Sequence, residues 1–498
     1  MSLELLYASR AAQPDGIAVV HRDDRISHRE LVELVELVAA GLAGRGIAPG
    51  DAVALLLPNN LEFVLCFHAV SALGAVLVPL NPQFKQEELE FCFRRCEVKA
   101  VITDDRCAGV CERISSSMDW PVDVITTRPA HPHMVTLEGL MSEHGAAPLA
   151  PRPADDVFVY QFSSGSTGRP KRVARTHANV RAEARTYATS MGITSADGVF
   201  CVVPLFHTYG MGCCLLSTAQ TGATLVMLED PNPFLLKRHR ALDLLEQEQP
   251  TIFPGVPFSF RVLAEAPRDA DLSSIRLCFS AGTALPRSTF DAFLDRFGIP
   301  VRQLYGCTEA GTLTANLDGD PVDTFASVGK PVSGVGVRIL DDLGEPVPTG
   351  SIGELAVSSP ALTAGYLDTA ELTAEAFRDG EFITGDLGMV DDEGRVFLTG
   401  RKKLLIDVGG YKVDPIEVED VVLSHPGVDE AVVVGVAGDN PGEELVKAVV
   451  VVTDNSDSRE IIRFCRERLA NYKVPHVVEF REEIPKSPMG KVLRKYLI

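Results

Sequence analysis

The chain is short of positive charge for its length. It has 498 residues, of which 47 are lysine or arginine against 68 that are aspartate or glutamate, and its formal net charge at pH 7 is -21. Repulsion of this size opposes the approach of nucleic acid or of an anionic membrane. We therefore expect neither as a partner, although local basic clusters occur at 169–175, 401–403 and 486–495.

The cysteines form no pattern of disulfides and no common zinc motif. They number eleven, an odd count, and are scattered along a chain that begins at Met1 without a signal-peptide pattern. We therefore expect reduced thiols and a cytoplasmic protein. Two pairs, Cys92 with Cys96 and Cys107 with Cys111, are spaced one residue wider than the commonest Cys-x-x-Cys ligands. Burial explains these thiols better than a metal does.

The chain also lacks an uninterrupted apolar stretch long enough to indicate a transmembrane helix. Phe63–Leu80 carries no charged residue, but Gly74 and Pro79 interrupt it, and its pattern changes from helical to extended after the glycine. We therefore predict a buried helix that leads into a buried strand.

The length and the alternation of elements indicate an α/β protein of more than one domain. The chain exceeds what one core usually fills, and 46% of its residues are hydrophobic, as in globular proteins. Strands that alternate with helices indicate parallel sheets covered on both faces. The predicted strands are Ala52–Leu57, Ala75–Leu80, Ala100–Thr103, Val122–Thr126, Val157–Phe162, Val199–Leu205, Thr224–Leu228, Ile275–Phe279 and Val301–Tyr305, and the predicted helices include Leu31–Gly44, Gln86–Cys96 and Leu235–Gln249.

The pattern changes at Gly334. From there short β runs are separated by turns, at Val335–Leu340, Glu354–Ser358, Glu381–Thr384 and Arg395–Leu398. After Gly400 helices and strands mix again over about a hundred residues, enough for a small domain. We place the linker at Gly400–Lys403.

One loop has the composition of a polyphosphate site. It follows the predicted strand Val157–Phe162 and reads Ser163-Ser164-Gly165-Ser166-Thr167-Gly168-Arg169-Pro170-Lys171. Glycines let backbone N–H groups approach an anion, hydroxyls add donors, and the lysine adds positive charge. The spacing is not that of a Walker loop, because two residues separate Gly168 from Lys171. The loop therefore predicts polyphosphate binding without indicating a Walker-type kinase or GTPase.

Four further segments indicate a function only when they are considered together. They are Pro204-Leu205-Phe206-His207, Tyr305-Gly306-Cys307-Thr308-Glu309, Thr384-Gly385-Asp386 with Gly400-Arg401, and Pro485-Lys486-Ser487-Pro488-Met489-Gly490-Lys491. Alone, each is typical of a turn, a packed histidine or a solvated charge. Combined with the loop, they make the chain resemble the adenylate-forming acyl- and aryl-CoA synthetases, which include firefly luciferase and the adenylation domains of nonribosomal peptide synthetases. The resemblance covers nearly the whole length.

The resemblance implies a fold and a division into domains. The expected fold is α/β, with a large N-terminal domain of two mixed αβ sheets plus a small β-barrel-like subdomain, followed by a small mobile α+β C-terminal domain. The expected boundaries are 1–400 for the large domain, 401–403 for the hinge with Lys403 at its centre of motion, and 404–498 for the small domain.

The resemblance also implies a site for ATP and Mg²⁺. The phosphates would be held by Ser163, Ser164, Gly165, Ser166, Thr167, Gly168 and Lys171. Thr308 would bond the α-phosphate, and Glu309 would hold the metal, since a hard cation prefers carboxylate oxygen. Asp386 and Arg401 would hold the ribose. Lys491 would bind both the acid's carboxylate and the α-phosphate.

A pocket for the acid and a path for CoA are implied in the same way. The pocket residues would be His207, Tyr209, Ser280, Ala281, Gly282, Thr283, Tyr305, Gly306, Cys307 and Gly311. His207 would place the acid or control access as the thiol or amine arrives. Tyr209 and the glycines favour a flat aryl or heteroaryl acid over a long alkyl chain. The pantetheine arm of CoA would pass Gly409, Gly410 and Tyr411.

The implied reaction has two steps, and alternatives remain for the second. A carboxylate attacks the α-phosphate of ATP to give acyl-AMP and pyrophosphate, and a thiol then displaces AMP. An acyl-AMP ligase or amide synthetase would instead pass the acyl group to an amine or a carrier protein. A binding protein that has lost catalysis is the other alternative, but Lys491, Glu309 and the phosphate loop are all present. The sequence indicates no oligomeric state.

Overall fold

The chain is described by a computed structural model. It describes residues 2–129, 131, 133–143, 149, 152–163, 171–230, 233–367, 369–408, 411–438, 444–453, 457–469, 471–487 and 492–498. These residues form two compact units. The first takes its residues from 2–163, 171–336 and 358–382, and the second from 337–357 and 383–498.

The strands alternate with helices over most of the chain. The strands are β1 Ile17–His21, β2 Asp24–Ser27, β3 Ala52–Leu56, β4 Val76–Pro79, β5 Val98–Thr103, β6 Asp123–Thr126, β7 Val135–Thr136, β8 Val157–Ser163, β9 Lys171–Thr176, β10 Gly198–Cys201, β11 Thr224–Met227, β12 Ile252–Gly255, β13 Leu277–Ser280, β14 Val301–Cys307, β15 Gly311–Ala315, β16 Lys330–Pro331, β17 Gly336–Leu340, β18 Gly353–Ser358, β19 Phe377–Arg378, β20 Glu381–Val390, β21 Val396–Arg401, β22 Ile406–Val408, β23 Tyr411–Val413, β24 Val428–Ala437, β25 Glu444–Val452 and β26 Val477–Phe480.

The helices are α1 Ser2–Ala12, α2 His28–Gly44, α3 Leu61–Leu73, α4 Gln86–Cys96, α5 Asp105–Ser117, α6 Leu137–Glu143, α7 His177–Ser190, α8 Thr208–Gly210, α9 Ser217–Thr221, α10 Phe234–Glu248, α11 Pro257–Ala264, α12 Arg287–Phe297, α13 Ala370–Ala376, α14 Pro415–Leu423 and α15 Ser458–Arg466. A π-helix, Met211–Leu216, joins α8 to α9, and short 3₁₀ turns occur at Lys402–Leu404, Asn471–Lys473 and Arg494–Tyr496.

Two large sheets build the first unit. One has the strand order β7-β6-β5-β3-β4-β8-β9, and the other has the order β16-β15-β14-β13-β12-β10-β11-β1-β2. Their central strands are parallel, as expected for strands connected through helices. The nine predicted strands of this region and the predicted helices are all present, so the α/β class is confirmed.

The apolar run Phe63–Leu80 folds as predicted. Its first part belongs to α3, which begins after the N-cap Asn60 and ends at Gly74, where φ is +74°. Its second part is β4, buried throughout. The left-handed conformation at Gly74 ends the helix without steric cost. Among the described residues, no helix is both long and apolar enough to cross a membrane.

Two strands that were not predicted from the sequence, β9 and β15, break the parallel pattern next to the candidate site. β8 and β9 are antiparallel, and so are β14 and β15. Short connections explain this, because a parallel crossover needs a dozen or more residues, whereas 164–170 and 308–310 are much shorter. β8 and β9 therefore form a hairpin, and residues 308–310 are the short turn of the β14–β15 hairpin.

The second unit is built from antiparallel β structure and a small α+β core. β17, β18 and β20 lie side by side, and β21 pairs antiparallel with β20. The sheet β24-β25-β26 packs its buried valines against α14 and α15. The predicted linker Gly400–Lys403 comprises the end of β21 and part of a 3₁₀ turn. The domain boundaries and the hinge remain predictions.

The paired cysteines belong to the hydrophobic core of the first unit. Cys92, Cys96 and Cys111 are buried in one apolar cluster, and Cys107 is half-buried against it. All four are free thiols. Their spacing on helices α4 and α5 is thus a consequence of packing, as predicted.

Candidate active site

The predicted phosphate loop joins β8 to β9 in the first unit. Ser163 and Lys171 are register partners across this hairpin. Lys171 is half-buried, and its Nζ lies 4.4 Å from the ring centre of Tyr366, which is a cation–π distance. Outside the described residues lie Ser164, Gly165, Ser166, Thr167 and Gly168, and for Ser163 only the backbone is described.

A second hairpin of the same unit carries Thr308 and Glu309. In β14 and β15, Cys307 lies opposite Gly311, so Thr308 and Glu309 occupy the tight turn between them. Glu309 is only 7% exposed. Its Oε1 accepts a hydrogen bond from the hydroxyl of Tyr366 at 3.0 Å. The turn thus holds a nearly buried carboxylate in a defined position.

The His207 segment lies next to this hairpin. His207 caps helix α8, and its Nδ1 accepts a hydrogen bond from the backbone N–H of Tyr209 at 3.2 Å. In a neutral imidazole this bond puts the ring proton on Nε2. The hydroxyls of Thr208 and Thr308 are 3.5 Å apart. The residues predicted to place the acid and to bond the α-phosphate are therefore neighbours.

The other predicted pocket residues come from the ends of adjacent strands. β13 ends at Ser280, and β14 runs beside it with the register partners Ser280 and Gln303. Ala281, Gly282 and Thr283 follow β13 directly, and Tyr305, Gly306 and Cys307 are the last residues of β14.

Two hydroxyl groups in this region, those of Tyr209 and Ser280, differ in their hydrogen bonding. The Tyr209 hydroxyl donates to the backbone oxygen of Phe279 at 3.3 Å, and burial raises the pKa of this phenol well above its usual value. Ser280 Oγ is buried and has no hydrogen-bond partner among the described residues. An unsatisfied buried hydroxyl is costly. The Ser280 hydroxyl is thus left unsatisfied by the described residues, whereas the Tyr209 hydroxyl is held by the backbone.

A buried ion pair lies next to Gly212 and Gly311, and the sequence pattern did not reveal it. Nη1 of Arg175 donates to Oε2 of Glu183 at 2.5 Å, and their side chains are 0% and 3% exposed. A Cβ atom added at Gly311 would lie 2.8 Å from Cδ of Glu183, and one at Gly212 would lie 2.4 Å from its Oε1. Glu183 thus occupies the space that side chains at Gly212 and Gly311 would need.

The predicted ribose pair lies in the second unit. Asp386 and Arg401 are register partners on β20 and β21, and Nε of Arg401 is 3.2 Å from Oδ1 of Asp386. Their side chains are 21% and 40% exposed. The Thr384 hydroxyl donates to the backbone oxygen of Leu355 and accepts from the N–H of Asp386. The pair is thus ordered but open to solvent.

The remaining predicted residues are only partly described. Lys491, Gly409 and Gly410 lie outside the described residues, and for Lys403 and Tyr411 only the backbone is described. Their roles remain predictions.

Comparison with known proteins identifies the family of this chain. The profile of AMP-binding enzymes matches residues 6–367, and that of the AMP-binding enzyme C-terminal domain matches residues 417–491. The chain belongs to the AMP-binding enzymes. As such it is an adenylate-forming, ATP-dependent acid–thiol ligase.

Individual AMP-binding enzymes resemble the chain over almost its full length. A feruloyl-CoA synthase from an Amycolatopsis species is 34% identical over 97% of this chain and 95% of its own. The structure of ATP-bound MatB from Rhodopseudomonas palustris is 30% identical, covering 100% and 98% of the two chains, with a TM-score of 0.88. The amide bond synthetase McbA from Marinactinospora thermotolerans is 28% identical, covering 100% and 99%, with a TM-score of 0.85.

Three residues next to the predicted site escaped sequence reasoning. Tyr366 lies 57 positions from Glu309, so no local spacing links them. Arg175 and Glu183 are eight positions apart, but Arg175 is in a strand and Glu183 in a helix. The one available signal was that Lys171, Val173 and Arg175 alternate in position along the run, which places two charges on the same face of a strand as an apolar residue.

Proposed function

We propose that this AMP-binding enzyme activates an aryl or heteroaryl acid as its acyl-adenylate and transfers the acyl group to CoA. The observation that carries the proposal is the approach of Thr208 to Thr308, 3.5 Å between hydroxyls. It brings His207 beside the turn that contains Glu309. A carboxylic acid held by the first segment would face the α-phosphate held by the second.

The residues of the Thr308 turn suit Mg²⁺. The carboxylate of Glu309 and the hydroxyls of Thr308 and Thr208 offer oxygen atoms, which a hard cation prefers. Glu309 would hold the cation, and when bound it would neutralise charge on the phosphates. Thr308 would donate its hydroxyl to the α-phosphate oxygen, and Lys171 would place its ammonium beside the outer phosphates.

The first step is a displacement that needs no oxidant and no added base. A carboxylate oxygen forms a bond to the α-phosphorus while the bond to the β-phosphate bridging oxygen breaks, and pyrophosphate leaves. In the second step the thiol sulfur bonds to the carbonyl carbon, the C–O bond to AMP breaks, and the thiol proton is lost. His207, at the acid end of the site, would orient the carboxylate in the first step.

The preference for a flat acid rests on the walls of the pocket. Tyr209 is fixed by its bond to the backbone of Phe279. Glu183 fills the space beside Gly311 and Gly212, so a long chain would meet a polar group there. Burying a polar group against an alkyl chain is unfavourable. An aryl or heteroaryl acid would end before this group.

The remaining predicted roles complete the proposal. Asp386 and Arg401 would hold the ribose, Lys491 would complete the charge stabilisation of the first step, and rotation about Lys403 would bring Gly409, Gly410 and Tyr411 to the pantetheine arm of CoA. We place this chemistry in the cytoplasm, where the free thiols of the chain stay reduced.

A screen for pyrophosphate release tests the proposed substrate class. The enzyme is incubated with ATP, Mg²⁺ and one acid at a time, drawn from aryl, heteroaryl and fatty acids. We expect release with aryl or heteroaryl acids to exceed release with fatty acids. A clear preference for fatty acids would contradict the aryl assignment, and no release with any acid would favour a non-catalytic binding protein.

Transfer to an amine is the second candidate, favoured by the likeness to the amide bond synthetase McbA over almost the whole of both chains. Incubation with ATP, the best acid and either CoA or an amine separates the two. We expect thioester with CoA; amide without thioester would contradict the proposed acceptor. A carrier protein in place of CoA is tested in the same assay.

A further inference from the structure

Tyr366 links two groups to which the proposed function gives separate tasks. Its hydroxyl donates to Oε1 of Glu309 at 3.0 Å, and the ammonium of Lys171 lies 4.4 Å from its ring centre. The side chains of Tyr366 and Glu309 are nearly buried, at 6% and 7% exposure. One aromatic side chain therefore contacts both the predicted metal carboxylate and the predicted phosphate lysine.

The backbone around Tyr366 is anchored to the same two hairpins. Tyr366 forms an antiparallel bridge with Val173 on β9. Three residues earlier, the N–H of Thr363 donates to the backbone oxygen of Glu309 at 2.8 Å, and the Thr363 hydroxyl donates to the backbone oxygen of Ala174. The segment 363–366 thus connects the strand that follows the phosphate loop with the Thr308 turn.

Tyr366 has little freedom to move. Its backbone N–H donates to the hydroxyl of Thr373 at 2.9 Å, and that hydroxyl donates in turn to the backbone oxygen of Tyr366 at 3.0 Å. Its ring packs edge-on against Phe377 at 5.4 Å between centroids. A ring held in this way can fix the positions of Glu309 and Lys171, the two charged residues that contact it.

We propose that Tyr366 is a positioning residue that sets the spacing between Glu309 and Lys171 for magnesium-bound ATP. The proposal rests on the roles assigned to these two residues above. The hydroxyl donates to Oε1 of Glu309, which would leave Oε2 to hold the cation. The ring face contacts the ammonium of Lys171 and so fixes the position from which this ammonium would reach the phosphates.

The hydroxyl of Tyr366 would act on the cation through Glu309, and its ring would act on the phosphates through Lys171. Two substitutions separate these effects. Tyr366→Phe removes the hydroxyl and keeps the ring, and it should weaken binding of ATP in the presence of Mg²⁺ about tenfold, the usual effect of losing a hydrogen bond to a charged group. Binding of ATP without Mg²⁺ should stay near that of the wild type. Tyr366→Leu removes the ring as well and should weaken metal-free binding about threefold.

The measurement is calorimetric titration of the whole enzyme with ATP, with and without Mg²⁺, in the absence of any acid. No turnover is needed, so failure to find an acid substrate would weaken the proposed function and leave this test intact. Equal affinity of wild type and Tyr366→Phe for ATP with Mg²⁺ would overturn the proposal. So would an equal loss with and without the metal.

Tyr7 supplies a matched control in the same unit. Its hydroxyl donates to Oε1 of Glu36 at 2.5 Å, and the guanidinium of Arg10 lies 4.7 Å from its ring centre. Tyr7→Phe therefore removes the same kind of bond at a different place. We expect it to leave ATP binding unchanged in both conditions, and a Tyr7→Phe loss equal to that of Tyr366→Phe would overturn the proposal.

A double variant distinguishes positioning from a general loss of structure. In a Glu309→Gln background the carboxylate is absent, so adding Tyr366→Phe should cause no further loss of magnesium-dependent binding. Additive losses would show that Tyr366 does not act through Glu309 and would overturn the proposal.

Discussion

Two arginine–carboxylate pairs of similar chemistry occupy opposite environments in this enzyme. Arg175 and Glu183, in the first unit, are 0% and 3% exposed. Arg401 and Asp386, in the second unit, are 40% and 21% exposed. The buried pair has lost its water, whereas the exposed pair keeps it and can exchange it for a ligand.

The difference in exposure indicates that the buried pair contributes to stability and the exposed pair to ligand binding. Removing one member of a buried pair leaves a charge without compensation, whereas an exposed pair contributes little to the free energy of folding. We infer that the buried pair maintains the wall of the proposed acid pocket, and that the exposed pair bonds the ribose hydroxyls. The following predictions test this contrast, from the largest effect to the smallest.

Breaking the buried pair should have the largest effect. Glu183→Ala leaves Arg175 buried and uncompensated, and we expect the free energy of unfolding to fall by about 3–5 kcal/mol. Denaturant unfolding monitored by circular dichroism measures this. The double variant Arg175→Leu with Glu183→Leu should recover most of the loss. A loss below about 1 kcal/mol for Glu183→Ala would contradict the structural role of the pair.

Acid should destabilise the first unit selectively. Burial lowers the pKa of His68 to about 3 and that of His177 to about 4. Below the ordinary histidine pKa of about 6.5, the unfolded chain takes up protons that the folded chain does not. The free energy of unfolding therefore falls as the pH falls toward 4. At pH 5 the loss should be about 2 kcal/mol for each histidine.

The region around α14 in the second unit should resist acid better than the first unit. Burial raises the pKa of Asp414, Glu419 and Asp420, so in the acidic range the folded form holds protons that the unfolded form has lost, and acid favours folding there. Hydrogen exchange at pH 7.5 and 5, corrected for intrinsic rates, compares the units. We expect peptides that contain His68 and His177 to lose more protection than residues 411–438. An equal loss would contradict the contrast.

Replacing the predicted mobile lysine should abolish the first half-reaction. Lys491→Ala removes an ammonium proposed to stabilise charge during attack on the α-phosphate, and comparable losses cost about 100-fold to 1000-fold in rate. Thioester formation from supplied acyl-AMP should persist. Lys495→Ala, a nearby lysine of the same basic segment, should retain both activities. Equal loss of both half-reactions in Lys491→Ala would refute the proposed domain rotation.

Breaking the exposed pair should have the smallest effect on folding and a specific effect on binding. Asp386→Asn should weaken ATP binding about tenfold, because a charged acceptor for the ribose hydroxyls is lost. The free energy of unfolding should change by less than about 1 kcal/mol. Glu393→Gln, which alters an exposed pair with Arg395 between the same strands, should leave ATP binding unchanged. Unchanged binding in Asp386→Asn would contradict the ribose assignment.

The sequence predicted helices and strands well where the periodicity of apolar residues matches the buried face of the element. The helix Gln86–Cys96 has its predicted bounds, and the strand Val157–Phe162 is one residue short of the observed β8. The prediction for Val199–Leu205 was too long, because β10 ends at Cys201 and the apolar run continues into the loop before His207. Hydrophobicity shows that a residue is buried and does not show whether its backbone is paired.

The site was predictable where motifs are contiguous and unpredictable where contacts are distant. Thr308 and Glu309 were recognised because they are adjacent in one short motif. Strand β9 was missed because Lys171, Arg172 and Arg175 make it read as a polar segment, although Arg175 is fully buried. Its burial depends on Glu183 in the following helix, and no spacing rule joins a strand residue to that position.

The transfer of oxygen during the complete reaction tests the central claim most directly. An acid labelled with ¹⁸O in its carboxylate is incubated with the enzyme, ATP, Mg²⁺ and CoA, and the products are analysed by mass spectrometry. If the carboxylate attacks the α-phosphate, the C–O bond breaks in the second step and AMP retains one labelled oxygen. Unlabelled AMP, or label in inorganic phosphate with ADP as the other product, would contradict the account.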